Sequence, residues 1–223
     1  GTADLLGDML SKGAGSRGGL AFAQAVDGAG GSLSFGSSRE AIVANAQFLA
    51  KDSGLMLSLL ADALLRPTLQ PAEFDKLRKR AIDGLANAKD SDPRQLIGLY
   101  ASGWLFRGHP YGRPTGGDET SLAAIGLDDL KAFRREQMGG DRLIIAIAGD
   151  FDPATVTRQV REAFGGWGKA AGALPQVTAK AREQGRRVLL VDKPGATQTY
   201  FAMANVGSRR GDPAEAAQDL VQT

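Results

Sequence analysis

Helical and extended patterns interleave along this chain without the strict strand–helix–strand alternation of a parallel sheet. That order predicts an α+β fold in which a mixed or antiparallel sheet packs with helices. Residues 2–12 put Leu5, Leu6, Met9 and Leu10 on one helical face, before a glycine-rich stretch from Gly13 to Gly19. A second short helix is expected over 20–27, closed by Gly28, Gly30 and Gly31. SLSFGSS and EAIVANAQFL then read as extended, the second around β-branched Ile42 and Val43. Asp52 or Ser53 can cap a helix in which Leu55, Leu59, Leu60, Ala63 and Leu64 recur, stopped by Arg66-Pro67. Pro71 opens a longer helix at its first turn, where a missing N–H costs nothing, and Phe74, Leu77, Ala81, Leu85 and Ala88 form its apolar stripe.

The phrase SDP at 91–93 restarts the chain, and Leu96, Ile97, Tyr100, Ala101 and Trp104 continue as helix. After the turn-rich loop HPYGRPTGGDE (109–119), one helix is expected at about 120–138, followed by RLIIAIAGD (142–150) as a buried strand. Asp152-Pro153 caps a helix running to Phe164, which Gly165 and Gly166 end. Beyond a linker rich in Ala, Gly and Lys, RRVLLVD (186–192) reads as a strand. TQTYFAMANV (197–206) reads as its antiparallel partner across the turn at Pro194-Gly195. Residues 170–183 are the only candidate boundary, no internal repeat is present, and the chain is read as a single domain over 1–223.

Composition removes whole classes of chemistry. The 27 Lys and Arg against 25 acidic residues leave a net charge of +2, which gives no reason to expect nucleic acid as a partner. No apolar run reaches the roughly 18–20 residues that cross a bilayer, so no membrane span is expected. The absence of Cys excludes disulfides, thiolate metal sites and cysteine nucleophiles. The chain opens at Gly1 with no Met, so the start of the natural protein, with any targeting segment, is expected to be missing. His109 is the single histidine; in a Pro/Gly loop it is expected to make a structural hydrogen bond or to be exposed. A Ser-His pair would have to use it, and neither a G-x-S-x-G elbow nor a phosphate-binding G-x-x-x-x-G-K-[ST] loop is present. Trp104 and Trp167 read as core or rim anchors.

The first helix carries two carboxylates, Asp4 and Asp8, at i and i+4 on one face. A helix-borne pair without a third ligand seldom makes a dedicated cation site, because calcium takes six or more oxygens, so both read as solvated surface groups.

The segment Gly1-Thr2-Ala3-Asp4-Leu5-Leu6-Gly7-Asp8-Met9-Leu10-Ser11-Lys12-Gly13 resembles the opening helix of the pitrilysin/insulinase family of zinc peptidases, approximately G-x-A-H-x-x-E-H-M-x-x-K-G-[ST]. Further phrases agree in the family's order: a strand after a Gly-Gly pair, LLRPTL, FDKLRKRAIDGL followed by SDP, HPYGRPTGG, LIIAIAGDFD and FGGWG. In such enzymes two His bind zinc, the intervening Glu accepts a proton from the metal-bound water, and a third ligand, a Glu, follows about 77 residues after the second His. Here Asp4 and Asp8 stand at the His positions, Gly7 at the base, and Leu85 where the third ligand is due. Asp83 is the nearest acid, but two residues along a helix turn a side chain by about 200°.

The resemblance implies the fold of one half of a pitrilysin/insulinase-type, mitochondrial-processing-peptidase-like subunit. It also implies no catalytic residue, no metal ligand and no cofactor in this chain. In family members the strand after the Gly-Gly pair accepts substrate as an added β-strand, and its counterpart here is Ser32, Leu33, Ser34 and Phe35; the plain alternative is an ordinary edge strand. The implied function is a catalytically inactive subunit that encloses or binds peptide with an active metallopeptidase partner. That partner would be a homologous subunit carrying the intact zinc motif, or a second copy of this chain. A stand-alone peptide-binding or scaffold protein is the alternative, and an active zinc endopeptidase the weaker one. The family's exported bacterial members favour the periplasm over the cytoplasm.

Overall fold

Apolar residues at helical spacing near the start of the chain decide where the core forms. In the computed structural model, which describes residues 1–91, 94–181, 184–209 and 211–222, helix α1 (Thr2–Leu10) turns Leu5, Leu6, Met9 and Leu10 inward, none more than 2% exposed. A minimal antiparallel hairpin of β1 (Gly13–Ala14) and β2 (Arg17–Gly18) leads into α2 (Gly19–Gly28). Strands β3 (Ser32–Ser37) and β4 (Ile42–Gln47) form a second antiparallel pair, with Leu33 opposite Ala46 and Phe35 opposite Ala44. Helix α3 (Ser53–Leu65) is apolar around most of its circumference and is buried from Leu59 to Leu64, with Ser58 left at the surface. Leu60 and Leu64 join the cluster around α1, while Leu59 and Ala63 pack with Ala14, Phe22 and Val26 of a second cluster. Asp52 occupies its N-cap position, but without a side-chain cap bond.

Asp62 is the polar exception inside α3, only 5% exposed. Arg17 Nη1 lies 3.0 Å from its Oδ2, and the Arg66 guanidinium binds Oδ1. Gly15, at φ +59, lets β1–β2 close over this carboxylate: a Cβ there would sit 2.7 Å from Oδ2. Arg134 braces the end of the same helix, donating from Nη2 to the carbonyls of Leu64 at 2.8 Å and Leu65 at 2.6 Å, and its burial lowers its pKa.

Helix α4 (Pro71–Ser91) begins at Pro71 as the sequence predicts, and Phe74 and Leu77 enter the α1 cluster. Next come α5 (Arg94–Leu105), α6 (Glu119–Ala124), α7 (Leu127–Gln137), α8 (Pro153–Phe164) and α9 (Glu215–Gln222). The restart expected at SDP falls on Asp92 and Pro93, outside the described residues. The single helix expected at 120–138 is two. Asp118 and Ser121 cap α6 reciprocally, then the chain leaves helical geometry at Ile125, and the Gly126 N–H donates to Asp129 Oδ2 at 2.8 Å to start α7. Asp152 caps α8 by accepting from the Thr155 N–H at 2.8 Å.

Two sheet expectations need correction. Residues 143–148, between a short 3-10 turn ending at Arg142 and a bend at 149–150, form no ladder with any described strand. Leu143 and Ile145 pack on the core while Ile144 is 92% exposed, so the run is covered on one side only. Residues 186–192 and 197–206 likewise do not pair, although the turn at Pro194-Gly195 forms with Gly195 at φ +79. Val188, Leu190, Phe201 and Met203 are consequently exposed. An apolar β pattern states a preference for extended backbone, and a strand exists only once another strand accepts its hydrogen bonds. Helices with small antiparallel sheets remain an α+β arrangement.

Contacts gather into two units. One comprises Gly1–Asn87 with Pro114–Pro175; the other comprises Ala88–Arg113 with the described residues from Gln176 onward. In the second, His109 Nδ1 accepts the Tyr111 N–H at 3.1 Å, and Nε2 donates to the Thr178 carbonyl at 2.8 Å, the structural role expected for it. Trp104 there is flanked by the Arg107 and Arg187 guanidinium groups at 5.9 and 5.6 Å.

Candidate functional site

Of the residues singled out in the first helix, Asp4 and Gly7 meet β3. Asp4 is half-buried, and its Oδ1 accepts a hydrogen bond from Ser37 Oγ, the last residue of β3, at 2.9 Å. The reading of both carboxylates as solvated therefore fails for Asp4. Gly7 is buried against β3, where a Cβ would stand 3.6 Å from the carbonyl carbon of Gly36. Asp8, one turn beyond Asp4, is exposed.

The Asp8 carboxyl is nevertheless pushed above the ordinary aspartate value, first by partial desolvation and then by the Asp4 charge; Lys12 and Arg80 act against the shift. A carboxyl with a higher pKa folded than unfolded binds more protons in the fold. Stability then falls as pH rises from the ordinary aspartate value of about 3.9 through the raised one, and the penalty is in force at neutral pH. Asp8→Asn is thus expected to raise the thermal midpoint at pH 7, with the gain disappearing as the pH drops below about 4, where the native carboxyl is itself protonated. A lower midpoint at pH 7 would mean that attraction to Lys12 and Arg80 outweighs both causes.

Leu85 packs against the same core cluster that α1 lines. Asp83 points elsewhere and pairs with Lys79 at 2.7 Å on the outer surface of α4. Among the described residues no three His, Cys, Asp or Glu side chains come together. Protein zinc sites use at least three His, Cys or carboxylate ligands on one tetrahedral centre. Two aspartates, one engaged by a hydroxyl, with a half-buried leucine at the third position, do not fit that ion. Gly7 has no group that could take a proton from bound water.

Ser32, Leu33, Ser34 and Phe35 all lie in β3. Leu33 and Phe35 turn inward and pack on both core clusters, while Ser32 and Ser34 face outward. With Gly36 and the cross-strand residues Val43, Asn45 and Gln47 they make an outer face without a charged side chain. Native edge strands often carry lysine, proline or a bulge that discourages pairing, and SLSFGS has none of these.

Ser37 and Gly36, the partners of Asp4 and Gly7, are what sequence reasoning missed. A signal existed: with side chains alternating along a strand, Ser37 shares the inward side with Leu33 and Phe35, and a hydroxyl on that side needs a partner.

Residues 1–119 match the insulinase family (peptidase family M16), and residues 124–223 match the peptidase M16 inactive domain. An uncharacterized zinc protease of Mycobacterium leprae is 29% identical over 204 residues, which cover 91% of this chain and 46% of that protein. A probable mitochondrial-processing peptidase subunit beta of Arabidopsis thaliana is 26% identical over 226 residues, 100% of this chain and 42% of its own. The chain thus spans less than half the length of these relatives. Among solved structures, a peptidase M16 inactive domain from Pseudomonas fluorescens superposes with a TM-score of 0.74 at 24% identity, covering 82% of this chain and 44% of that one. A protease from Helicobacter pylori gives 0.69 at 19% identity, over 79% of this chain and 43% of its own. At such identities the likeness is one of fold.

Proposed function

This chain belongs to the insulinase (M16) peptidase family, and from that membership we propose that it serves as a non-catalytic, peptide-holding part of a family assembly. The observation that carries the reading is a contrast between the α1 and α4 positions and the strand beside α1. The ligand and base positions hold Asp4, Gly7, Asp8 and Leu85, none suited to zinc hydrolysis, while the adjoining β3 keeps an uncharged edge without proline. An extended peptide added to that edge gains main-chain hydrogen bonds, which require no particular side chain from either partner. Hydrolysis would then fall to a homologous subunit with an intact H-x-x-E-H motif, which supplies the zinc and the general base. The match to a processing-peptidase subunit supports an assembly of this kind.

The test titrates the chain with an unstructured peptide and with the same peptide N-methylated at alternate residues. N-methylation removes main-chain donors and leaves the side chains in place. If about three hydrogen bonds are lost at about 1 kcal/mol each, affinity falls on the order of a hundredfold. Equal affinity for the two peptides, or none for either, rules out strand addition at β3.

A further inference from the structure

We propose that Asp4 and Ser37 form a clasp that fixes β3 against α1, so that the position aligned with a metal ligand in active relatives positions the peptide-binding edge in this chain. Two contacts define it. Asp4 Oδ1 accepts the Ser37 hydroxyl at 2.9 Å. One helical turn on, Gly7 meets Gly36 closely enough that an added Cβ would lie 3.6 Å from the strand backbone. Asp4 and Gly7 are three residues apart on one helix face, and Gly36 and Ser37 are adjacent on the strand, so both contacts sit at the same crossing. Asp4 Oδ2 is turned toward the loop at Gly116, where a Cβ would come within 3.6 Å of it. The remaining hold on β3 from the core side comes from Leu33 and Phe35, and a two-stranded hairpin without such tethers is marginal in water.

The clasp needs an acceptor at position 4, and an amide oxygen supplies one, weaker than a carboxylate's but in the same place. Asp4→Asn should therefore retain it, and Asp4→Ala should lose it. A metal-binding role reverses part of that order, because the amide is a poor substitute for a carboxylate on a hard cation.

The experiment measures amide exchange across β3 in the native chain, Asp4→Asn, Asp4→Ala, Ser37→Ala and the Asp4→Ala/Ser37→Ala double variant. Amides of α3 serve as the reference for global unfolding. Asp4→Ala and Ser37→Ala are each expected to speed exchange in β3 about tenfold relative to α3. The double variant should be no faster than either, and Asp4→Asn should stay near the native rate. Equal loss in Asp4→Asn and Asp4→Ala, additive effects in the double variant, or unchanged β3 exchange in Asp4→Ala would each overturn the clasp. Its consequence for binding rests on the proposed role of β3: peptide affinity should drop with Asp4→Ala and hold with Asp4→Asn. If exchange follows the expected order while no variant binds peptide, the clasp stands and the peptide-holding role falls.

Discussion

Replacing Phe74 with alanine is expected to lower the unfolding free energy by about 3–5 kcal/mol, read as a fall in the urea midpoint with little change in slope. Phe74 is 3% exposed and is the first large side chain of α4. Its ring enters the cluster that also contains Leu5, Leu6, Met9, Leu10, Leu122 and Leu130. Truncation forfeits the transfer free energy of the ring and leaves a void in a cluster to which α1, α6 and α7 also contribute. The Arg78 guanidinium, 5.0 Å from the ring centroid, loses its aromatic neighbour as well. Leu20 is the control. At 75% exposed it covers little, and Leu20→Ala should change stability by no more than about 0.5 kcal/mol. A cost at Phe74 as small as that at Leu20 would mean that α4 is not anchored through its first turn, and the inward placement of Leu85 would lose its support.

What could be read from the sequence is what short-range chemistry determines. The faces of α1 and α2, the alternation in β3, the start of α4 at Pro71 and the cap at Asp152 each depend on residues within a turn or two of one another. Residues 142–150 and 186–206 failed for the complementary reason: the pattern there records what each segment would tolerate, and a ladder depends on a second segment that the pattern does not contain. The break at Ile125–Gly126 was hidden because Leu122, Ile125, Leu130 and Phe133 continue a helical spacing across it, while the cap by Asp129 lies within a stretch that reads as helix interior.

The candidate site divides in the same way. That Asp4, Gly7, Asp8 and Leu85 are not the His and Glu that the family resemblance leads one to expect there is a matter of residue identity, and it is read from the sequence alone. That Asp4 is engaged by Ser37, 33 residues away, and that Gly7 lies on Gly36 are tertiary facts. They turn a description of what was lost into one of what the same positions hold together.

That account is tested most directly by titrating the metal-free chain with zinc by calorimetry near pH 7. Structural zinc in zinc-finger peptides contributes about 10–16 kcal/mol, which demands three or four matched ligands. Asp4 is committed to Ser37, Asp8 is exposed, and Leu85 packs against the core cluster, so no such set exists among the described residues. The predicted result is no binding tighter than about millimolar, a free energy near −4 kcal/mol. Binding at micromolar or tighter that is lost in the Asp4→Ala/Asp8→Ala variant would contradict it, since those two carboxylates would then be metal ligands.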